Sequence, residues 1–110
     1  MSPDPVGTTF AALADPTRRH VIGVLSAGAE VSVSQLAREL PISRQAVAKH
    51  LAALAEAGLV ESSRHGRETR YRLTPGPLTD AGAWLDRVGT EWDSRLGRLK
   101  RHADGQRRSG

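Results

Sequence analysis

Apolar residues recur every three to four positions along most of this chain, and the pattern turns strand-like only between residues 59 and 73. The first spacing marks amphipathic helices facing a core. Residues 9–14 predict a short helix. Asp15-Pro16 then restarts the chain, with Asp as N-cap and Pro at the first helical position. The second helix runs to about residue 27, with Val21, Ile22 and Leu25 on one face and Gly28 as its stop. Ser32 and Gln35 form an S-x-x-Q capping box for a third helix that turns Leu36, Ala37 and Leu40 inward. Pro41 ends that helix, because its ring removes a donor and disfavours helix in the residue before it. Ser43 is a good N-cap for a fourth helix. There Val47, Leu51 and Leu54 fall at i, i+4 and i+7 as one buried stripe, and Gly58 closes it.

Residues 59–63 and 69–73 predict two strands around Arg64-His65-Gly66-Arg67-Glu68, with Gly66 supplying the positive φ of a tight hairpin loop. Pro75-Gly76-Pro77 predicts a turn. A last helix covers about residues 78–102, some 37 Å at about 1.5 Å per residue. Its apolar residues Leu78, Ala81, Leu85, Val88, Trp92, Leu96 and Leu99 make one seam, which Trp84 widens over the first turns. The elements thus predict one mainly helical domain with a small β-hairpin over residues 8–103. A flexible arm (residues 1–7) and a disordered tail (residues 104–110) flank it.

Composition narrows what such a domain can do. The chain has 110 residues, of which 38% are hydrophobic and only 4% aromatic, so its core is thin and self-association would add buried area. It carries 16 Lys and Arg against 12 Asp and Glu, and all of those bases except Lys49 and Lys100 are Arg. Arg forks onto phosphate and guanine in ways Lys cannot, although a GC-rich genome would also favour Arg codons. Cys is absent, which removes disulfides, thiolate metal sites and thiol redox sensing. No apolar run is long enough to span a membrane, and residues 1–7 lack the form of a signal peptide. The expected location is the cytoplasm.

The chemistry concentrates in residues 32–73. Four residues, Leu40-Pro41-Ile42-Ser43, separate the third and fourth helices, a spacing that suits a helix-turn-helix pair. With the Val47 stripe buried, the fourth helix (about residues 44–57) presents Arg44, Gln45, Ala48, Lys49 and Ala52 outward. The N-terminal residues of such a helix reach base edges in the major groove, so Arg44 suits guanine and Gln45 adenine. Ala46 and Ala48 are small enough to let the helix sit deep. Ser43, Lys49 and His50 suit phosphates. The hairpin (about residues 63–70) follows at once. Its Arg64, His65, Arg67 and Arg70 are suited to the backbone or the minor groove. A charged hairpin alone is usually only a solvated surface, so the order of the two features carries the inference. That inference is binding to double-stranded DNA.

The segments LADPTRRHVIGVL, SRQAVAKHL and the stretch from GLV to YRL make the chain resemble the ArsR-type winged helix-turn-helix repressors of bacteria, over roughly residues 10–100. The resemblance implies four helices, two strands and a final helix, in that order. It also implies a homodimer through the first and last helices that binds a near-palindromic operator and represses transcription. The seam residues Leu85, Val88, Trp92, Leu96 and Leu99 would then form the dimer interface, with Phe10 and Leu13 beside them.

The chain departs from the metal-sensing members of that family. Where a common site places two Cys separated by one residue in the third helix, this chain has Ser32 and Ser34, and hydroxyls are poor ligands for soft or borderline metals. The alternative site needs His and carboxylates on the last helix, and no His precedes His102 there. No metal site and no cofactor are therefore expected, and the chain resembles the metal-independent branch. Its inducer is left open as a small molecule, a partner protein or none.

Two other classes compete. A winged helix could serve as an RNA-binding or protein-interaction module, but Tyr71 is the only aromatic in the hairpin on which a base could stack. An enzyme has no support, since there is no nucleophile with a paired base and no phosphate-cradling glycine loop.

Overall fold

The computed structural model describes residues 4–108, with side chains as far as residue 103. Its elements are α1 (Pro5–Ala12), α2 (Pro16–Leu25), β1 (Val31–Ser32), α3 (Val33–Glu39), α4 (Arg44–Glu56), β2 (Val60–His65), β3 (Glu68–Leu73) and α5 (Gly76–Arg108). The fold is mainly helical, with a three-stranded antiparallel sheet in the order β1-β3-β2.

Three of these elements differ from expectation. The arm expected over residues 1–7 is helical from Pro5, where Asp4 caps α1 by accepting the Gly7 N–H at 3.0 Å. Asp4-Pro5 repeats the Asp15-Pro16 start, so the same local chemistry begins both helices. Residues 1–3 lie outside the described residues. β1 was not expected. It is two residues long and pairs Val31 with Tyr71 and Ser32 with Arg70. A strand that short has no alternation of its own to read. The expected turn at Pro75-Gly76-Pro77 lies largely inside α5, because Pro is tolerated in a first helical turn.

At its other end α5 reaches Arg108, beyond the expected stop near residue 102 and into the segment expected to be disordered. No proline interrupts the run there, and a single Gly costs a helix only about 1 kcal/mol. Residues 109–110 lie outside the described residues.

The core forms where α2, α3 and α4 meet under the sheet. Val21, Leu25, Leu36, Val47, Leu51, Leu54 and Leu59 are essentially fully buried, and Ala12, Leu40 and Val60 complete the cluster. Truncating such a Leu to Ala typically costs about 2–5 kcal/mol, a large share of a small domain's stability.

One backbone device joins this core to the hairpin. Gly58 takes φ +78° after α4. The Leu59 N–H bonds the Leu54 carbonyl at 2.9 Å and the Gly58 N–H bonds that of Ala55 at 3.0 Å. Those two bonds make a Schellman stop, with Leu54 and Leu59 buried together beneath it. The hairpin therefore leaves α4 in a fixed direction. The hairpin loop is also tighter than expected. His65 pairs with Glu68, leaving only Gly66-Arg67 between the strands. Gly66 has φ +65° while Arg67 does not share a positive φ, the pattern of a type II′ turn.

α5 lies beyond this unit and packs on it only near its start. Ala81 is buried and Leu78 is half-buried against the core. Farther along, the helix carries an uncovered apolar face.

Candidate nucleic-acid interface

The turn between α3 and α4 is the expected residues 40–43. Leu40 is buried and Ile42 packs partly on the core, so the turn is anchored at both ends. Ser43 caps α4 by accepting the Ala46 N–H at 3.1 Å, which leaves its own O–H to donate. Arg44, Gln45, Ala48, Lys49 and Ala52 are all exposed, while Val47, Leu51 and Leu54 are at or near zero exposure. One polar face therefore stands opposite one buried stripe. Among the described residues Gln45 and Lys49 have no hydrogen-bond or ion-pair partner, whereas the Arg44 guanidinium donates to the Ser34 hydroxyl on α3.

His50 does not share that face. It stands three residues from Val47 and four from Leu54, on the flank of the buried stripe, and is half-buried. Its imidazole lies near Asp15, the cap of α2. Burial works against ionising the Asp15 carboxyl. The N–H groups of Thr17 and Arg18 outweigh it, with help from the charges of His50 and Arg18, and together they hold its pKa below the usual value.

The hairpin tip is exposed at Arg64, His65 and Arg67, while Arg70 is half-buried on the central strand. Its bases are not equivalent. The Arg64 Nε donates to the Gly66 carbonyl at 3.3 Å. The His65 Nε2 sits 3.1 Å from Glu30 Oε2 and 3.0 Å from Ser63 Oγ. Arg70 donates to Glu68 at 3.1 Å, and Arg72 donates to Glu61 across the strands at 2.6 Å. Glu68 is held below its ordinary pKa first by Arg70, then by the Ser32 hydroxyl, against some burial. Among the described residues Arg67 has no such partner.

The carboxylate partners Glu30, Glu61 and Glu68 were missed in sequence, where Glu68 reads as a spacer. Pairing them needs the two-residue loop, which fixes the register Glu61–Arg72 and His65–Glu68. In sequence Ser34 reads only as a poor metal ligand, since its contact with Arg44 spans ten residues. An open cleft of about 540 Å³ lies between Ser32-Val33-Ser34 and the tip residues His65, Arg67, Glu68 and Thr69. Ser34 on its α3 wall is the residue that accepts from Arg44 of α4.

The expected interface residues fall elsewhere. Leu85, Val88, Trp92, Leu96 and Leu99 remain 44–61% exposed along α5. Leu13 and Phe10 are half-buried, and Phe10 lies against Trp84. Among the described residues no helix is long and apolar enough to cross a membrane.

Known proteins share this arrangement. Residues 13–63 match the Helix-turn-helix domain family. The chain is 42% identical over 89 residues to the HTH-type transcriptional regulator Rv2034 of Mycobacterium tuberculosis, covering 81% of this chain and 79% of that protein. Its fold matches an ArsR-like transcriptional regulator from Rhodococcus sp. RHA1 with a TM-score of 0.80 and 46% identity over 92% of each chain. It also matches the homodimeric winged helix-turn-helix DNA-binding domain of a Mycobacterium bovis protein, with a TM-score of 0.61 and 28% identity, covering 84% of this chain and 82% of that one. A helix-turn-helix followed by a basic hairpin, with relatives of this kind along most of its length, places this chain in the ArsR-type family of winged helix-turn-helix transcriptional regulators.

Proposed function

We propose that the protein is a homodimeric repressor that binds a near-palindromic operator, with α4 in the major groove and the β2–β3 hairpin on the adjoining backbone or minor groove. The observation that carries this is the separation of surfaces. The hairpin tip and the start of α3 flank one cleft, and α4 adjoins its α3 wall through the Arg44–Ser34 hydrogen bond, while the uncovered apolar face lies apart on α5. Arg44 and Gln45 read bases, Ser43 and Lys49 take phosphates, and Arg64 and Arg67 hold the hairpin on the backbone. Arg70, paired with Glu68, and His50, half-buried on the flank of α4, act more weakly. A second copy covers Leu85, Val88, Trp92, Leu96 and Leu99, with Phe10 and Leu13 at its margin, and gives the assembly two recognition helices. A dimer of this kind occludes two successive major grooves about 34–36 Å apart, which is sufficient for repression.

The switch is not a metal in this reading. Ser32 and Ser34 offer hydroxyls where thiolates would be needed, and no Cys occurs in the sequence. The inducer is then a small molecule, a partner protein or none. Selection from a randomised duplex pool tests the proposal, since inverted repeats should be enriched with half-sites about one turn apart. Enrichment of single unrepeated sites, or of none, overturns it. Titration with Zn²⁺ or arsenite should leave binding unchanged, and release of DNA by either would overturn the metal-independent part.

A further inference from the structure

Arg44 is the first residue of α4, and its guanidinium Nη2 donates to the hydroxyl of Ser34, ten residues earlier on α3. That hydroxyl is not needed for the helix. The α3 cap is Ser32, whose Oγ accepts the Gln35 N–H at 3.1 Å while the Ser32 N–H donates back to Gln35 Oε1 at 2.8 Å. Among the described residues Ser34 has no other side-chain hydrogen bond, and Arg44 has no carboxylate partner.

The hairpin arginines show the alternative way to hold a guanidinium. Glu68 holds Arg70 and Glu61 holds Arg72, and each carboxylate cancels the charge it orders. A hydroxyl orders without cancelling. It accepts one of the five N–H donors of the fork and leaves the rest, with the full positive charge, for a nucleic acid. An unrestrained arginine must lose rotamer freedom when it docks, and holding it beforehand reduces that loss.

We infer that Ser34 is a positioning residue for base recognition, holding Arg44 so that its remaining N–H groups meet a guanine edge. This rests on the proposal that Arg44 reads a base, and it adds the residue that makes that contact sharp. Ser34 touches no base itself.

The test compares S34A, S34T, R44A and the S34A/R44A double variant on duplexes selected by the unaltered protein and on their single-base variants. S34A should lose about two- to tenfold of discrimination, the scale of one hydrogen bond. The loss should fall at the same base pair that R44A affects, with an unchanged thermal midpoint. S34T should retain discrimination, and the double variant should be no less selective than R44A. If R44A loses selectivity while S34A keeps it, Ser34 does not position Arg44. A uniform loss across all sequences on S34A would also overturn the inference, marking Ser34 as a phosphate contact. If R44A itself keeps full selectivity, base reading by Arg44 is what fails, and the role of Ser34 falls with it.

Discussion

The ring of Phe10 on α1 stands edge-on to Trp84 on α5, with centroids 5.7 Å apart and planes at 65°. This geometry suits the positive edge of one ring against the negative face of the other. With Leu78 and Ala81 it ties the start of α5 to the domain, yet Trp84 stays 40% exposed and the seam beyond it is more open still, reaching 61% at Leu99. A run of apolar side chains this continuous is unusual on the surface of a monomer. We expect L96D to convert a dimer to a monomer, read by sedimentation velocity, while the helical circular dichroism of the domain is retained. DNA affinity should fall at least tenfold, since one half-site is lost with the partner. A variant still dimeric at micromolar concentration would show that another surface mediates association.

The starts of α1 to α4 rest on side-chain caps. Ser32 is 2% exposed, closes the α3 capping box, and helps hold the Glu68 carboxylate at the hairpin tip below its ordinary pKa. Replacing a cap by Ala typically costs about 0.5–2 kcal/mol. S32A should therefore lower the thermal midpoint by several degrees, and more than S34A does. Equal midpoints in a thermal melt would contradict the assignment of capping to Ser32.

Asp15 and Glu68 both ionise more readily folded than unfolded. For a carboxyl whose folded pKa is depressed, the stabilisation is fully present above its ordinary value and is lost as pH falls through the folded one. The ordinary values are 3.8 for Asp15 and 4.5 for Glu68, so the loss belongs below about pH 4.5. Urea unfolding at several pH values should show E68Q less stable than the unaltered protein at pH 7, with the gap narrowing on acidification below that point. A gap that widens with acid would reverse the sign assigned to Glu68.

Carboxylate pairing also divides the hairpin arginines in their action on DNA. Among the described residues Arg67 has no carboxylate partner, whereas Arg70 is held by Glu68. R67A should weaken binding to all sequences and flatten the dependence of log K on log salt by about 0.9, one phosphate contact. E68Q should tighten binding and steepen that slope, because it releases Arg70. Titrations by fluorescence anisotropy at several salt concentrations measure both. If R67A and E68Q shift affinity in the same direction, the pairing in the structure does not persist on DNA.

Local chemistry made much of this protein readable in advance. Asp15-Pro16, Ser32 with Gln35, Pro41, Ser43 and Gly58 set element boundaries through their own neighbours, and α2, α3 and α4 lie close to where those residues place them. Asp4-Pro5 carries the same signal, masked by the Pro- and Gly-rich composition around it. What stayed hidden depends on contacts between distant segments. Val31 and Ser32 are a strand only because Tyr71 and Arg70 lie beside them. The role of Ser34 appears only once α4 has turned back beside α3. The charge pairs of the hairpin follow from a register that the two-residue loop decides. His50 reads as an outward cation beside Lys49, but helical geometry turns it toward Asp15.

The most direct measurement is the base preference of the unaltered protein, R44A and R67A across single-base variants of a selected duplex. The expected result is a split. R44A should lose discrimination at one base pair per half-site, by a factor corresponding to about 1–3 kcal/mol, while R67A should lose affinity evenly across every variant. If both substitutions lower affinity evenly, or if both alter the same base preference, α4 and the hairpin do not divide the work of recognition as proposed.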